Sequence, residues 1–371
     1  MLDSTALGNV VGFNDFGYVR QDELDDLIAC LEKEADKAGI SGGMKGHALY
    51  TLIKPLARKV PYARAVRDSI KRKRLRAAWD KYSDYVYWEP NFILQTCNER
   101  AVATIHDLSY LRYPTFHPPE RVRWLEAGME KTVSRAARLV TVSQFSKSEI
   151  VDAFPISPQQ IEIVPPGVSE IYFAQCSEQS LREVRRRLNL PSNYVLSVGT
   201  LEPRKNIQGL IDAHQGLPAT VRRNFPLVLA GGKGWQNSEV DKRTARAIAR
   251  GEVIRLGYVA EKDLPALYQA ASLFVYPSFY EGFGMPVLEA LASGAPVITS
   301  NRASLPEVAG HYALFVDPDD IGALTEALAQ TLEAGPSDRA SQAEAIAYAR
   351  RFTWEASAKK LSRLLLEVGR H

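Results

Sequence analysis

Two glutamates, Glu281 and Glu289, bracket the run Gly-Phe-Gly-Met-Pro-Val-Leu directly after an apolar segment at 273–277. The pattern suits a sugar joined to a phosphate. Segment 273–277 predicts a strand, Pro286 suits the first turn of a helix, and Gly294 suits its end. Glu281 then lies in the loop above the helix N-terminus, and Glu289 lies inside the helix. Backbone N–H groups from Phe283 through Gly284 to Met285, at the positive end of the helix dipole, favour an anion, and glycine lets a ligand approach closely. Two carboxylates in an apolar setting need hydroxyls or cations. Sugar and ribose hydroxyls serve both; the plainer alternative is that Glu281 caps the helix and Glu289 sits on its wet face.

A second cluster begins at Gly199, in the run GTLEPRKN, where Arg204 and Lys205 stand side by side at the end of another apolar segment. Adjacent cations there suit a diphosphate, Arg by its planar fork and Lys as a compact charge. The runs GGKGW at 231–235 and LGYV at 256–259 also follow apolar segments, so Gly232, Tyr258 and Val259 can wall a nucleotide pocket or simply form tight turns. Neither P-loop spacing nor a GxGxxG after a strand occurs, which argues against a nicotinamide cofactor. Asp317, Asp319 and Asp320 precede a helical pattern from Ile321 and read as a helix cap rather than a metal site. No other acidic cluster has ligand spacing. His106 closes the apolar run 101–105, where it is either a hydrogen-bonded structural residue or a functional one.

The elements that must position these residues are legible as alternation. From Tyr194 onward, apolar runs at 194–198, 226–230, 252–256, 273–277, 296–300 and 313–317 alternate with helical patterns. That predicts an α/β fold with a doubly wound parallel sheet, whose strand-end loops converge on one crevice. Weaker runs at 85–88, 101–105, 138–142 and 161–165 predict a second domain of the same kind. Paired prolines in Pro165-Pro166-Gly167-Val168 suit the linker, so the expected domains are 1–171 and 172–352, with a helical 353–371 that can pack across either. Length favours two domains. Hydrophobic residues at 46% and charged at 24% exclude a disordered or fibrous chain, and a net charge of +3 is too small to imply nucleic acid. Cys30, Cys97 and Cys176 are scattered, which suits a reducing cytoplasm, and no run reaches membrane-spanning length.

Taken together, GTLEPRKN, GGKGW, LGYV and EGFGMPVLEALASGAPVI resemble glycosyltransferase family 4, the retaining GT-B enzymes that use nucleotide sugars. YWEPN at 87–91, TIHDLSYLRYP at 104–114, TVSQFSKSEI at 141–150 and IVPPGV at 163–168 extend the resemblance into the first domain. The resemblance implies two Rossmann-like domains facing a cleft. It also implies that Arg204 and Lys205 hold the donor diphosphate, that Glu289 binds the ribose, and that Glu281 with Phe283 to Met285 holds the transferred sugar. His106 would contact that sugar near the reacting carbon, with Asp107 orienting the loop. Such enzymes generally need no metal or other cofactor, and same-face attack assisted by the departing phosphate is usually proposed. The family's usual opening, a strand and a glycine-rich turn running into a helix, is not evident; LDSTALGN suits the strand, and Ser41–Gly46 is the nearby glycine cluster. That departure bears on donor closure and on activity.

Between Lys54 and Arg76 there are ten Lys or Arg residues and one acid, Asp68, interleaved with apolar residues. Such a stretch can lie on anionic lipid, or be a solvated helix face interrupted by Pro55 and Pro61. Tyr82, Tyr85, Tyr87 and Trp88 can stack on acceptor sugars or fill a strand's core face. The expectation is a cytoplasmic hexosyltransferase, peripheral on the inner membrane face, moving mannose from GDP-mannose to a saccharide or lipid-linked acceptor in surface polysaccharide or O-antigen assembly. Another GDP- or UDP-hexose is one alternative, and a catalytically impaired nucleotide-sugar-binding or scaffolding protein is another. On this reading Lys205→Ala should cost turnover while leaving the melting temperature unchanged.

Overall fold

The computed structural model describes residues 10–12, 85–94, 100–232, 238–335 and 338–370. The glycine cluster at 41–46, the basic stretch at 54–76 and Tyr82 lie outside the described residues. Each apolar run read as a strand is one. The first sheet is wholly parallel, in the order β1 (Val10–Gly12), β2 (Val86–Glu89), β3 (Ala101–Thr104), β4 (Arg138–Thr141), β5 (Ile161–Ile163). The edge strand begins directly after LDSTALGN, which itself lies outside the described residues.

The second sheet holds β6 (Val195–Val198), β7 (Leu227–Ala230), β8 (Val253–Gly257), β9 (Leu273–Tyr276), β10 (Val297–Ser300) and β11 (Leu314–Val316). Its order is β11-β10-β9-β6-β7-β8, all pairs parallel, so the winding reverses between β6 and β9. Successive side chains leave opposite faces of a strand, and in β9 they feed two cores. Phe274 and Tyr276 join Leu196, Val228 and Leu288 on one face, while Leu273 and Val275 join Val195, Leu229 and Leu328 on the other. Covered on both faces, such strands carry apolar residues throughout, which is why they were visible as runs rather than alternations.

The chain crosses between domains twice. After β5 it passes through Val164–Val168 towards the second sheet, and after Phe352 it returns as the helix Trp354–Gly369. Leu364, Leu365 and Val368 of that helix bury against Val86, Val102, Val140 and Val164, so it covers a face of the first sheet. The two crossings touch: Val168 N–H donates to the Phe352 carbonyl at 2.9 Å. A Cβ on Gly167 would stand 2.0 Å from the Trp354 backbone nitrogen. Because backbone cannot give way as a side chain can, Gly167→Ala should cost about 2 kcal/mol or more of stability. A thermal unfolding midpoint equal to wild type would show that the crossings are not in contact.

Candidate active site

The loops after β6 and β9 meet because these two strands are neighbours at the point where the sheet reverses, the usual crevice of a doubly wound sheet. A one-turn helix, Pro203–Lys205, presents Arg204 and Lys205, and Asn206 turns the chain into the following helix with φ 53°. From the other loop, Glu281 enters between them. Its Oε2 accepts from an Arg204 guanidinium N–H at 2.6 Å, and its Oε1 accepts from Lys205 Nζ at 2.5 Å. The Tyr276 hydroxyl donates to the same Oε1 at 2.8 Å and itself contacts Lys205 Nζ. Arg204 also donates to the Tyr280 carbonyl and to Glu202, each at 2.7 Å.

This cluster is dry. Glu281 is 6% exposed and Glu202 7%. Burial alone would push the Glu281 carboxyl up, but the charges of Lys205 and then Arg204 outweigh it and hold its pKa at about 2. Burial lowers the pKa of Lys205; the Glu281 carboxylate works against this, and the Arg204 charge adds to it. Glu281 was expected to face the transferred sugar, and the structure commits both its oxygens to cations and a phenol. Arg204 and Lys205 lie beside it, as their loops required, with Arg204 spread over three acceptors.

After Glu281 the chain turns at Gly284, φ 107°, into the helix Met285–Ala292, and among the described residues no side chain caps its N-terminus. The Ser304 hydroxyl lies 2.8 Å from both the Glu281 and the Phe283 carbonyls and straps this turn. Glu289, on the same helix, accepts from the Tyr268 hydroxyl at 2.9 Å. Burial raises its pKa, with Tyr268 and then Tyr172 acting in the opposite direction. Gly199 and Gly232 follow β6 and β7, and Gly232 has open space where a side chain would be. After β8, Val259 is buried and Tyr258 is 83% exposed.

His106 and Asp107, at the end of β3, face this loop from the first domain. A Cβ on Gly282 would meet the His106 carbonyl at 2.3 Å and the Asp107 Cβ at 2.8 Å, so only glycine allows the approach. His106 Nε2 lies 2.9 Å from the Pro90 carbonyl, which can only accept, so Nε2 carries the proton. Asp107 Oδ1 accepts from both the backbone N–H and the hydroxyl of Ser109, at 2.8 and 2.6 Å. Tyr280 reaches across the seam: its hydroxyl accepts from Leu108 N–H at 3.1 Å and binds Glu149. The Ser143 hydroxyl donates to the Gly282 carbonyl at 2.7 Å, and Glu307 accepts from the N–H groups of Gln144 and Phe145. Of the residues expected to stack on acceptor sugars, the Tyr87 ring is buried and Trp88 Nε1 donates to Thr104 Oγ1. Asp320 caps the helix Ile321–Ala334 through Ala323 N–H, while Asp317 and Asp319 pair with Arg302.

Sequence profiles of two families match. "Glycosyltransferase Family 4" covers residues 46–170, and "Glycosyl transferases group 1" covers residues 181–352. The O-antigen chain mannosyltransferase B of Escherichia coli is 41% identical over 76% of this chain and 74% of its own. The chain belongs to glycosyltransferase family 4. A serotype-specific mannosyltransferase, WbdA of Escherichia coli, is 32% identical over 59% of this chain, and the match spans 27% of WbdA. The crystal structure of WaaG, a glycosyltransferase involved in lipopolysaccharide biosynthesis, superposes with a TM-score of 0.65 over 87% of this chain and 85% of its own, at 16% identity. That likeness speaks for the fold: two Rossmann-like domains in the GT-B arrangement.

Sequence reasoning expected Arg204, Lys205 and Glu281 at one crevice, and the structure brings these three together, with Glu289 on the helix that follows. It missed Tyr276, Tyr280, Glu202 and Tyr268. Tyr276 carried a usable signal, a polar-tipped residue at the carboxyl end of an apolar strand; Glu202 and Tyr280 stand within two residues of Arg204 and Glu281 in the chain, and Tyr268 is joined to the site only by the fold. The structure also reverses the expectation for Lys205. Removing a buried partner of Glu281 leaves an undercompensated charge, so Lys205→Ala should lower stability by about 3 kcal/mol, as should Glu281→Gln. The pKa of Glu281 is depressed in the fold, so its contribution is complete above its ordinary value of 4.5 and lost as pH falls towards about 2. Denaturant unfolding at stepped pH should show a shallower acid slope for Glu281→Gln across that window, and a slope equal to wild type would contradict the pairing.

Proposed function

We propose that this glycosyltransferase moves mannose from GDP-mannose, with retention of anomeric configuration, to a saccharide or lipid-linked saccharide acceptor in O-antigen assembly. The observation that carries the reading is the 41% identity to an O-antigen chain mannosyltransferase over 76% of the chain. In this reading the donor lies across the strand ends of β6 and β9, its ribose on Glu289 and its diphosphate between Lys205 and the N-terminus of helix Met285–Ala292. An ammonium has three N–H donors. Lys205 directs two of them at Glu281 and Tyr276, which leaves one for a phosphate oxygen.

Arg204 acts mainly through Glu281, keeping the carboxylate and the ammonium in register. The departing diphosphate gains negative charge as the glycosidic bond breaks, and fixed cations and N–H groups stabilise that gain more than the ground state. His106 and Asp107 approach the transferred hexose from the first domain. The reaction needs no metal and no protein nucleophile.

Calorimetric titration with GDP, UDP, ADP and their sugars, followed by transfer assays, tests the reading. The expected result is GDP binding about tenfold or more tighter than UDP, with mannose transfer that survives a chelator. Preference for UDP would replace the donor with another hexose nucleotide, and binding without transfer over a panel of acceptors would favour a scaffold. Among the described residues no helix is long and apolar enough to cross a membrane. The ten basic residues between Lys54 and Arg76 support peripheral attachment to the inner membrane face. Co-sedimentation should therefore favour vesicles containing anionic lipid; equal binding to neutral vesicles would remove the electrostatic attachment.

A further inference from the structure

We propose that Ser304 is a positioning residue for the donor diphosphate: its hydroxyl sets the direction of the backbone N–H groups in the loop 281–284, which leads into the helix Met285–Ala292. The proposal rests on the reading that places the diphosphate at that helix N-terminus.

Ser304 stands in the loop after β10, at the N-cap of the short helix Leu305–Ala309. A serine at that place ordinarily turns its oxygen on the N–H groups of its own helix. Among the described residues, this one makes no such bond. It is buried, and its hydroxyl lies 2.8 Å from the Glu281 carbonyl and 2.8 Å from the Phe283 carbonyl. A hydroxyl has one proton, so the two carbonyls share it. Ala303, just before it, holds a left-handed φ of 56°, which is unfavourable for a residue with a Cβ. Leu305, just after it, packs on the same loop: a Cβ on Gly284 would stand 2.6 Å from Leu305 Cδ2.

In a planar trans peptide the carbonyl and the N–H that follows it point opposite ways, so holding one fixes the other. Ser304 thereby sets the N–H groups of Gly282 and Gly284. The carbonyl between them, that of Gly282, is held from the first domain by Ser143 Oγ at 2.7 Å and Ser146 Oγ at 3.2 Å, which sets Phe283 N–H. Among the described residues none accepts a hydrogen bond from the N–H of Phe283, Gly284 or Met285. Donors with fixed directions at the positive end of a helix dipole suit phosphate oxygens. Without the Ser304 hydroxyl the loop keeps its path, but two of its peptide planes lose the contact that orients them.

The test compares ligands with and without the second phosphate. Wild type and Ser304→Ala are titrated with GDP and GMP and with UDP and UMP. Wild type should prefer the diphosphate of its base; the variant should bind that diphosphate about fivefold more weakly while binding the monophosphate within about twofold of wild type. In turnover, kcat of Ser304→Ala at saturating donor should fall about tenfold, because the same N–H groups meet the charge that the leaving diphosphate gains. A purely structural serine would leave the ratio of the two affinities unchanged. Loss of affinity for both ligands alike, or for neither, therefore overturns the role of Ser304. Wild type that binds diphosphate and monophosphate equally overturns the placement of the diphosphate on this loop, and the proposal with it. Should Ser304→Ala lose its thermal transition, Ser304→Cys puts a weaker donor in the same place and is read with the same ligand pairs; a diphosphate preference equal to wild type overturns the role. Loss of the transition in both variants assigns Ser304 to the fold alone and overturns it too.

Discussion

A carboxylate buried to 6% exposure between a guanidinium and an ammonium governs the geometry of the crevice. Each charge would be costly to desolvate alone, and together they are tolerable only in this arrangement. Glu281 thus ties the loop after β6 to the loop after β9. The mutual hold explains why Arg204 has so many acceptors within the protein: it locks Glu202, Tyr280 and Glu281 into one rigid knot around which ligand groups can be placed.

The same knot reaches the first domain. Tyr280, next to Glu281, places its hydroxyl between Leu108 N–H and Glu149, and its ring lies 5.6 Å from those of Tyr113 and Phe145. Gly282 rests on the His106 carbonyl, and Ser143 and Ser146 hold the Gly282 carbonyl. The residues that would hold diphosphate and sugar are therefore continuous, through two neighbouring positions of one loop, with those that form the opposite wall.

Much of this was legible in the sequence, for stated reasons. Fully covered parallel strands carry apolar residues at every position, so β7 and β9 stood out as unbroken runs, and the carboxyl-end rule then brought Arg204, Lys205 and Glu281 to one crevice. The rule fixes which loops meet and leaves open what each oxygen does. The resemblance implies a sugar-facing Glu281, and the sequence does not show that two cations, 76 and 77 residues earlier, take both its oxygens. Tyrosines were the systematic omission. Tyr268 and Tyr276 are buried on core faces, where a sequence reading counts them as hydrophobic bulk, and only coordinates show their hydroxyls aimed at Glu289 and Glu281.

The return of the chain after Phe352 has a bearing on biogenesis. One face of the first sheet is closed by a helix that is translated after the whole second domain, so Val86, Val102, Val140 and Val164 have no cover from it while that domain is being made. Synthesis from the N-terminus then completes the later domain's core first, and the earlier domain becomes finished only when residues 354–369 have left the ribosome.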